Sequence, residues 1–186
     1  MTRRAVFLDK DGTLIDDVPY NVDPDRIRLA VGASEGLPHL QAAGFRLIVI
    51  SNQSGVARGL FAEAALEAVR ERLTQLLADI GVELDGFYYC PHHPDGVVPE
   101  YAVACHCRKP QPGGILAAAQ THGIALEESW FVGDILDDVE AGRRAGCRTL
   151  LLDNGHETEW KRTPWRWPDL VARDLAEAAR LIARPL

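Results

Sequence analysis

The sequence predicts an α/β protein built on a doubly wound, mainly parallel sheet. Three observations lead to this fold class: short apolar runs alternate with amphipathic segments, polar or glycine-containing loops follow the apolar runs, and the 186 residues are 47% hydrophobic and 25% charged. Alternating strands and helices favour a parallel sheet, and the length and composition suit one domain over residues 1–186. Ligands of such sheets gather at the carboxyl ends of the strands.

The first two predicted strands lie on either side of a helix. Residues 5–8 form an apolar run that ends in charged residues and glycine, and residues 45–50 end in the same way at Ser51. Both runs are typical of buried strands that open into polar loops. Apolar residues at helical spacing predict a helix over 33–43, which Gly44 would close.

The rest of the chain repeats this alternation. The predicted helices are 62–80, 113–122, 138–145 and a closing helix over 170–182, and the predicted strands are 86–89, 130–132 and 149–152. Residues 154–169 carry three tryptophans among basic residues. We interpret them as a surface segment that tucks its indoles onto the domain; stacking on nucleic acid is the alternative that the acidic composition disfavours.

Charge and hydropathy exclude several classes of protein. A net charge of -7 and a pI near 5.3 argue against broad binding to nucleic acid or to an anionic membrane surface. No apolar run approaches the roughly 18 residues needed to span a bilayer, and the N-terminal segment lacks the apolar stretch of a signal peptide. We expect a cytoplasmic monomer that acts on a small molecule, without nucleic-acid or membrane partners.

Two carboxylates lie one residue apart where the first predicted strand meets a glycine turn. Asp9 and Asp11 belong to the string DKDGTL. One carboxylate of such a pair can attack phosphorus to form an aspartyl phosphate while the other transfers protons. An isolated Asp-x-Asp is usually a solvated loop, so this interpretation depends on the remaining motifs.

These motifs resemble the signatures of the haloacid-dehalogenase superfamily. DKDGTL matches the first signature, and the others follow in order: Ser51 after the second strand, Lys109 in CRKP, and Asp134 with Asp138 in a Gly-Asp-x-x-x-Asp stretch. Together they span most of the chain. The resemblance implies a Rossmann-like phosphatase fold.

The resemblance also implies catalytic roles. Asp9 would be the nucleophile, and Asp11 the general acid that protonates the leaving alkoxide and the base that then activates water. Ser51 and Lys109 would hold the phosphoryl oxygens. A solvated surface lysine is the commoner fate of a residue such as Lys109, but its place between a cysteine cluster and a proline favours the catalytic role.

A magnesium site follows from the same chemistry. A dianionic phosphate repels an attacking carboxylate, so a divalent cation must neutralise both. The implied ligands are Asp9, Asp134 and the backbone carbonyl of Asp11, and oxygen ligands suit Mg²⁺. Asp138 would support the site, and Asp137 is its closest local competitor for either role.

Residues from about 90 to 112 form a long loop rich in proline, cysteine and histidine. Three thiolates and an imidazole are a closed tetrahedral set for structural Zn²⁺. The spacing leaves the histidine open among three neighbours, His92, His93 and His106. Reduced thiols on a loose loop are the weaker alternative, because zinc would supply the order that such a loop lacks. Cys147 stands apart and is expected to be a small buried residue.

The strings SNQSGVARGLF, CPHHP, CHCRKP and FVGD resemble the D-glycero-D-manno-heptose-1,7-bisphosphate 7-phosphatases, a capless group with a zinc-bound loop. By this resemblance the zinc ligands are Cys90, His92, Cys105 and Cys107. The implied substrate contacts are Asn52, Gln53, Ser54, Gly55, Arg58, Arg108 and Lys109. Ser51 replaces the threonine of some members and supplies the same hydroxyl.

The expected function is removal of the 7-phosphate of heptose 1,7-bisphosphate, in the biosynthesis of nucleotide-activated heptose for lipopolysaccharide. One phosphate held by Mg²⁺ and Lys109 does not need Arg58 and Arg108 as well. These two additional cations therefore favour a bisphosphate substrate. A histidinol-phosphate phosphatase is the nearest alternative, and a polynucleotide 3'-phosphatase or a non-catalytic zinc-binding module are weaker ones. The preferred anomer stays open.

Overall fold

A computed structural model describes residues 3–184 of the chain. Its strands are β1 (Arg4–Leu8), β2 (Phe45–Asn52), β3 (Gly86–Cys90), β4 (Trp130–Gly133), β5 (Arg148–Leu152) and β6 (Leu170–Ala172). They form one sheet in the order β3-β2-β1-β4-β5-β6, and each neighbouring pair is parallel. The predicted parallel α/β fold is confirmed.

Helices cover both faces of the sheet. They are α1 (Ala33–Ala42), α2 (Ala65–Asp79), α3 (Gly113–His122), α4 (Leu136–Ala145) and α5 (Leu175–Ile182). Successive side chains of a strand point to opposite faces. In β1, Val6 and Leu8 therefore pack into the core beneath α1, α2 and α5, whereas Ala5 and Phe7 pack beneath α3 and α4. Burial on both faces explains why the strands are continuous apolar runs.

The predicted closing helix over 170–182 is wrong at its beginning. Leu170–Ala172 is an edge strand that pairs with β5, and the helix starts only at Leu175. Asp174 separates the two elements, because its side chain accepts a hydrogen bond from the Glu177 N–H at 2.8 Å and caps the helix. A three-residue strand is too short to show a period of its own, so its apolar residues merged with the helical pattern that follows.

The strand order places a switch point at β1. The chain moves from β1 to β2 and β3 on one side, and returns to β4, β5 and β6 on the other. In such sheets the crevice beyond the carboxyl ends of the diverging strands is where ligands bind. None of the helices within residues 3–184 combines the length and the apolar character that crossing a bilayer requires.

Candidate active site

Five predicted residues meet at the carboxyl ends of β1, β2 and β4. They are Asp9, Ser51, Lys109, Asp134 and Asp138, and each is at most 8% exposed. Asp9 directly follows β1, and its N–H donates to the Val132 carbonyl of β4 at 3.0 Å. The sheet therefore fixes the loop that carries the nucleophile candidate.

Lys109 reaches the centre of this group from the Cys/His-rich loop. Its Nζ lies 2.5 Å from Asp9 Oδ1 and 2.7 Å from Asp138 Oδ1, and it donates to the Ile50 carbonyl at 3.1 Å. Burial opposes the charge, but the attraction of Asp138 and Asp9 prevails and holds the pKa of Lys109 above its ordinary value. Lys109 is thus a buried cation and not a solvated surface lysine.

The side chain of Asn52 holds the backbone of Lys109 in place. Asn52 Oδ1 accepts from the Lys109 N–H at 3.0 Å, and Asn52 Nδ2 donates to the Lys109 carbonyl at 3.2 Å. Both hydrogen-bonding ends of the amide are engaged in this way. Asn52 therefore positions Lys109, while its contact with substrate stays a prediction.

The three carboxylates form a buried cluster whose negative charge Lys109 offsets only in part. One oxygen of each of Asp9, Asp134 and Asp138 lies within 4.8 Å of the others. Burial, followed by the charges of Asp9 and Asp138, raises the pKa of Asp134 to about 9. Burial also raises the pKa of Asp9. A divalent cation would relieve this repulsion, and the oxygen donors fit Mg²⁺.

Asp138 joins the cluster to the beginning of α4. Its Oδ2 accepts from the backbone N–H groups of Asp134 and Ile135 at 3.2 and 3.3 Å, while its other oxygen pairs with Lys109. Both contacts suit the predicted supporting role. Asp137 pairs instead with Arg166 at 2.7 Å and is not among the clustered carboxylates, so its candidacy for the metal site was wrong.

Asp11 lies beside the cluster and is held by two side chains. Its Oδ1 pairs with Lys10 Nζ at 2.6 Å, and its Oδ2 accepts from Gln53 Nε2 at 3.0 Å. The same Gln53 amide nitrogen lies 2.7 Å from Ser51 Oγ. The Asp11 side chain keeps 35% of its surface exposed, so it can exchange protons with a leaving group or with water. Sequence reasoning missed Lys10, whose only signal is its place within the Asp-x-Asp pair.

The predicted cysteines and one histidine converge on the loop between β3 and α3. The three sulfur atoms of Cys90, Cys105 and Cys107 lie 3.0 to 3.4 Å apart, and His92 Nδ1 lies 3.6 Å from Cys90 Sγ and 3.5 Å from Cys107 Sγ. Tetrahedral Zn²⁺ with bonds of about 2.3 Å requires sulfur atoms about 3.8 Å apart. The four donors therefore fit zinc after a small outward adjustment.

Arg58 and Arg108 flank a histidine next to this cluster. Arg58 Nη2 lies 3.2 Å from His93 Nε2. Burial and the charges of Arg108 and Arg58 lower the pKa of His93, so this ring is neutral near pH 7. Within residues 3–184, the buried Arg108 Nη1 has no hydrogen-bond partner. Arg108 therefore has a donor that its neighbours among these residues do not use.

A hollow of about 270 Å³ opens beside Asp11. Its walls include the predicted contacts Asn52, Gln53, Ser54 and Gly55, and also Asp17, Pro19, Tyr20 and Asn21. Sequence reasoning did not identify these last four residues, because residues 17–21 show no periodicity and belong to none of the recognised motifs. Tyr20 adopts φ +54°, an unusual conformation for a residue with a side chain, and is 52% exposed.

Residues 154–169, here called the strap, lie at the surface as predicted, but their indole side chains are not buried against the domain. Trp160, Trp165 and Trp167 are 40%, 47% and 54% exposed. The Arg162 guanidinium lies over the rings of Trp160 and Trp167. The beginning of the strap reaches the carboxylate cluster, a contact that sequence reasoning missed because no recognised motif extends that far.

Known proteins resemble this chain in sequence. The HAD-hydrolase-like family model matches residues 106–178. The chain is 44% identical over 148 residues to the D-glycero-beta-D-manno-heptose-1,7-bisphosphate 7-phosphatase of Escherichia coli (strain K12), which covers 80% of this chain and 78% of that protein. It is 43% identical over 150 residues to the protein of the same name from Pasteurella multocida, with 81% of each chain covered.

A solved structure resembles the chain over nearly its whole length. The D,D-heptose 1,7-bisphosphate phosphatase from B. bronchiseptica, complexed with magnesium and phosphate, matches with a TM-score of 0.77 and 32% identity over 96% of this chain and 97% of that one. Fold and sequence agree with the family expected from the motifs. The chain is a phosphoric monoester hydrolase and belongs to the haloacid-dehalogenase superfamily, in the family of the D-glycero-D-manno-heptose-1,7-bisphosphate 7-phosphatases.

Proposed function

We propose that this protein removes the 7-phosphate of D-glycero-β-D-manno-heptose 1,7-bisphosphate, in the biosynthesis of nucleotide-activated heptose. The observation that carries this substrate is Arg108, a cation with an unpartnered buried donor within residues 3–184, one residue from the Lys109 that pairs with Asp9. A substrate with a second phosphate would use it. The names of the E. coli and P. multocida relatives support both the sugar and its β anomer.

The proposed reaction has two steps. Asp9 Oδ attacks phosphorus, the bond to the sugar oxygen breaks, and Asp11 transfers its proton to the leaving alkoxide. Asp11 then takes a proton from a water molecule, which attacks phosphorus, breaks the aspartyl-phosphate bond and releases inorganic phosphate. Ser51 and Lys109 hold the phosphoryl oxygens in both steps.

The carboxylate cluster is the proposed Mg²⁺ site, with Asp9, Asp134 and the backbone carbonyl of Asp11 as ligands and Asp138 in support. The cation would neutralise the charge of the phosphate and of the attacking carboxylate. Support comes from the clustered oxygens of Asp9, Asp134 and Asp138, because a bound cation would offset the burial and repulsion that raise the pKa of Asp134. The B. bronchiseptica relative was crystallised with magnesium.

We further propose that Cys90, His92, Cys105 and Cys107 hold a structural Zn²⁺. Residues 91–112 form neither helix nor strand, so the loop needs a cross-link, such as a bound metal ion, to hold its conformation. Cys107 directly precedes Arg108 and Lys109. The zinc would therefore fix the part of the loop that presents both cations to the substrate.

The remaining parts of the proposal concern organisation. We expect residues 1–186 to form one capless domain, because the elements of residues 3–184 form a single sheet with its helices and the 17–21 loop walls the hollow beside Asp11. We also expect a cytoplasmic monomer. Thiols in metal-ligand geometry suit a reducing compartment.

A substrate screen tests the function. Purified protein with Mg²⁺ is assayed for phosphate release from both anomers of heptose 1,7-bisphosphate, from fructose 1,6-bisphosphate and from histidinol phosphate. We expect the highest kcat/KM for the β-heptose bisphosphate. A preference for histidinol phosphate, which carries an ammonium group and a single phosphate, would contradict the role of Arg108 and refute the proposed substrate.

The zinc site is tested by replacing one ligand. Cys107→Ser should lower the zinc content from about one ion per chain and should destabilise the fold, because a lost metal site is among the larger single-residue effects. A loss of about 2 kcal/mol corresponds to a fall in Tm of roughly 4–8 °C for a domain of this size. Elemental analysis and thermal unfolding measure both quantities.

Cys147→Ala is the matched control for this experiment. Cys147 is a buried thiol outside the cluster, so its replacement should leave the zinc content unchanged even if packing suffers. Equal zinc contents in the Cys107 variant and the wild type would show that the cluster does not bind zinc through Cys107.

A further inference from the structure

The strap touches two loops that build the carboxylate cluster. Asn154 Nδ2 donates to the Gly12 carbonyl at 2.7 Å, and His156 Nδ1 lies 2.6 Å from Asp134 Oδ2. Gly12 belongs to the turn after β1, and Asp134 directly follows β4. One short segment thus links the two strand ends between which the cluster lies.

The strap is fastened to α4, the helix that follows Asp134. Glu157 accepts from the Leu136 N–H at 2.7 Å, at the first residue of that helix. Farther along the strap, Arg166 pairs with Glu140 at 2.6 Å and with Asp137 at 2.7 Å. Because both stretches are tied to the same helix, His156 is held at a defined distance from Asp134.

The carboxylate of Asp134 is contacted on both of its oxygens. Thr13 Oγ1 lies 3.4 Å from Oδ1, and His156 Nδ1 lies 2.6 Å from Oδ2. An ionised carboxylate can only accept hydrogen bonds, so the imidazole donates through Nδ1 when Asp134 is ionised. Glycine at position 12 permits this approach, since a Cβ there would lie 2.5 Å from His156 Nδ1.

We propose that His156 is a positioning residue of the cation site. The Nδ1–H of His156 orients Asp134, and Asn154 holds the Gly12 turn beside the His156 ring. This role rests on the proposed Mg²⁺-dependent mechanism. Groups that hydrogen-bond to a metal ligand set its orientation, and their loss typically costs about 10- to 100-fold in metal affinity. His156 would act only through Asp134.

The test measures cation binding in the absence of substrate. Mn²⁺, a spectroscopic substitute for Mg²⁺, is titrated into the full-length, zinc-loaded protein and its free concentration is followed by electron paramagnetic resonance. We expect His156→Ala to weaken binding about 10- to 100-fold. His156→Asn should recover most of the affinity, because its side-chain amide nitrogen can occupy the place of Nδ1.

Thr158→Ala is the matched control on the strap. Thr158 is exposed, its side chain makes no hydrogen bond among the described residues, and its replacement should leave the affinity unchanged. With saturating cation, His156→Ala should approach the wild-type kcat. Thermal unfolding and zinc content should match the wild type in every variant, because the His156 side chain is 37% exposed.

Two outcomes would overturn the inference. One is wild-type Mn²⁺ affinity in His156→Ala; the other is an equal loss in the alanine and asparagine variants, which would exclude the Nδ1–H donor as the cause. Should the alanine variant not fold, wild-type affinity in His156→Asn supports the role and a weakened affinity opposes it.

A wild type that binds Mn²⁺ but does not cleave the heptose bisphosphate refutes the proposed substrate and leaves this inference standing. Absence of cation binding by the wild type overturns both.

Discussion

Asp9→Asn should abolish phosphatase turnover and leave the fold intact. An amide cannot attack phosphorus or balance the charge of a cation, so we expect kcat to fall on the order of 10⁴-fold or more. The melting temperature should not fall appreciably, because burial disfavours the charge of Asp9, and Lys109 keeps its second partner, Asp138. Steady-state phosphate release and thermal unfolding measure the two effects.

Asp137→Asn is the control for this prediction. Asp137 lies in the same motif as Asp134 and Asp138 but pairs with Arg166, so turnover should stay close to that of the wild type. Near-normal turnover in Asp9→Asn would refute the nucleophile assignment. Asp11→Asn should also be slow, yet should still allow a phosphorylated enzyme to be trapped, because its main defect is proton transfer.

Arg108→Ala should remove most of the preference for a bisphosphate. A contact to the phosphate that is not cleaved binds without reacting, and its binding energy can orient the reacting end. Loss of a charge-assisted bidentate contact costs on the order of 1.5 to 3 kcal/mol, or roughly tenfold to more than a hundredfold in kcat/KM. The effect should appear with heptose 1,7-bisphosphate and hardly at all with heptose 7-phosphate.

The comparison with Arg108→Lys isolates the guanidinium fork. Lysine keeps the charge but not the paired donors, so its kcat/KM should lie between those of the wild type and the alanine variant. If Arg108→Ala slows both substrates equally, Arg108 serves the reacting phosphate or the fold. Cys107→Ser should reproduce part of the Arg108 defect, because the proposed zinc would fix the loop that presents Arg108.

Much of the fold could be predicted because it follows local rules. The strands are buried on both faces and appear as apolar runs, and β1, β2 and β3 were each located to within two residues at either end. Helix α3 begins and ends at the predicted residues, because Gly123 adopts φ +64° and closes it. The strand β6 was missed, since it depends on pairing with β5 and not on its own three residues.

The site shows the same division. The motifs were enough to propose five residues of the site: Asp9, Ser51, Lys109, Asp134 and Asp138. The parallel sheet brings them together, because the segments that carry them meet at the carboxyl ends of β1, β2 and β4. Lys10, the 17–21 loop and His156 were not found. The contact of Lys10 with Asp11 is local but belongs to no spacing rule, whereas those of the 17–21 loop with the hollow and of His156 with Asp134 arise from chain packing.

The alternating α/β architecture, the order of the motifs and a Cys/His set with the chemistry of a zinc site could all be deduced from the sequence. These properties follow from residue type and short-range spacing. Three contacts became visible only in the folded chain: Asn52 supports Lys109, Asp137 pairs with Arg166, and the strap contacts Asp134. Such partners lie 22 to 57 residues apart in the chain, and chain folding alone brings their polar groups within hydrogen-bonding distance.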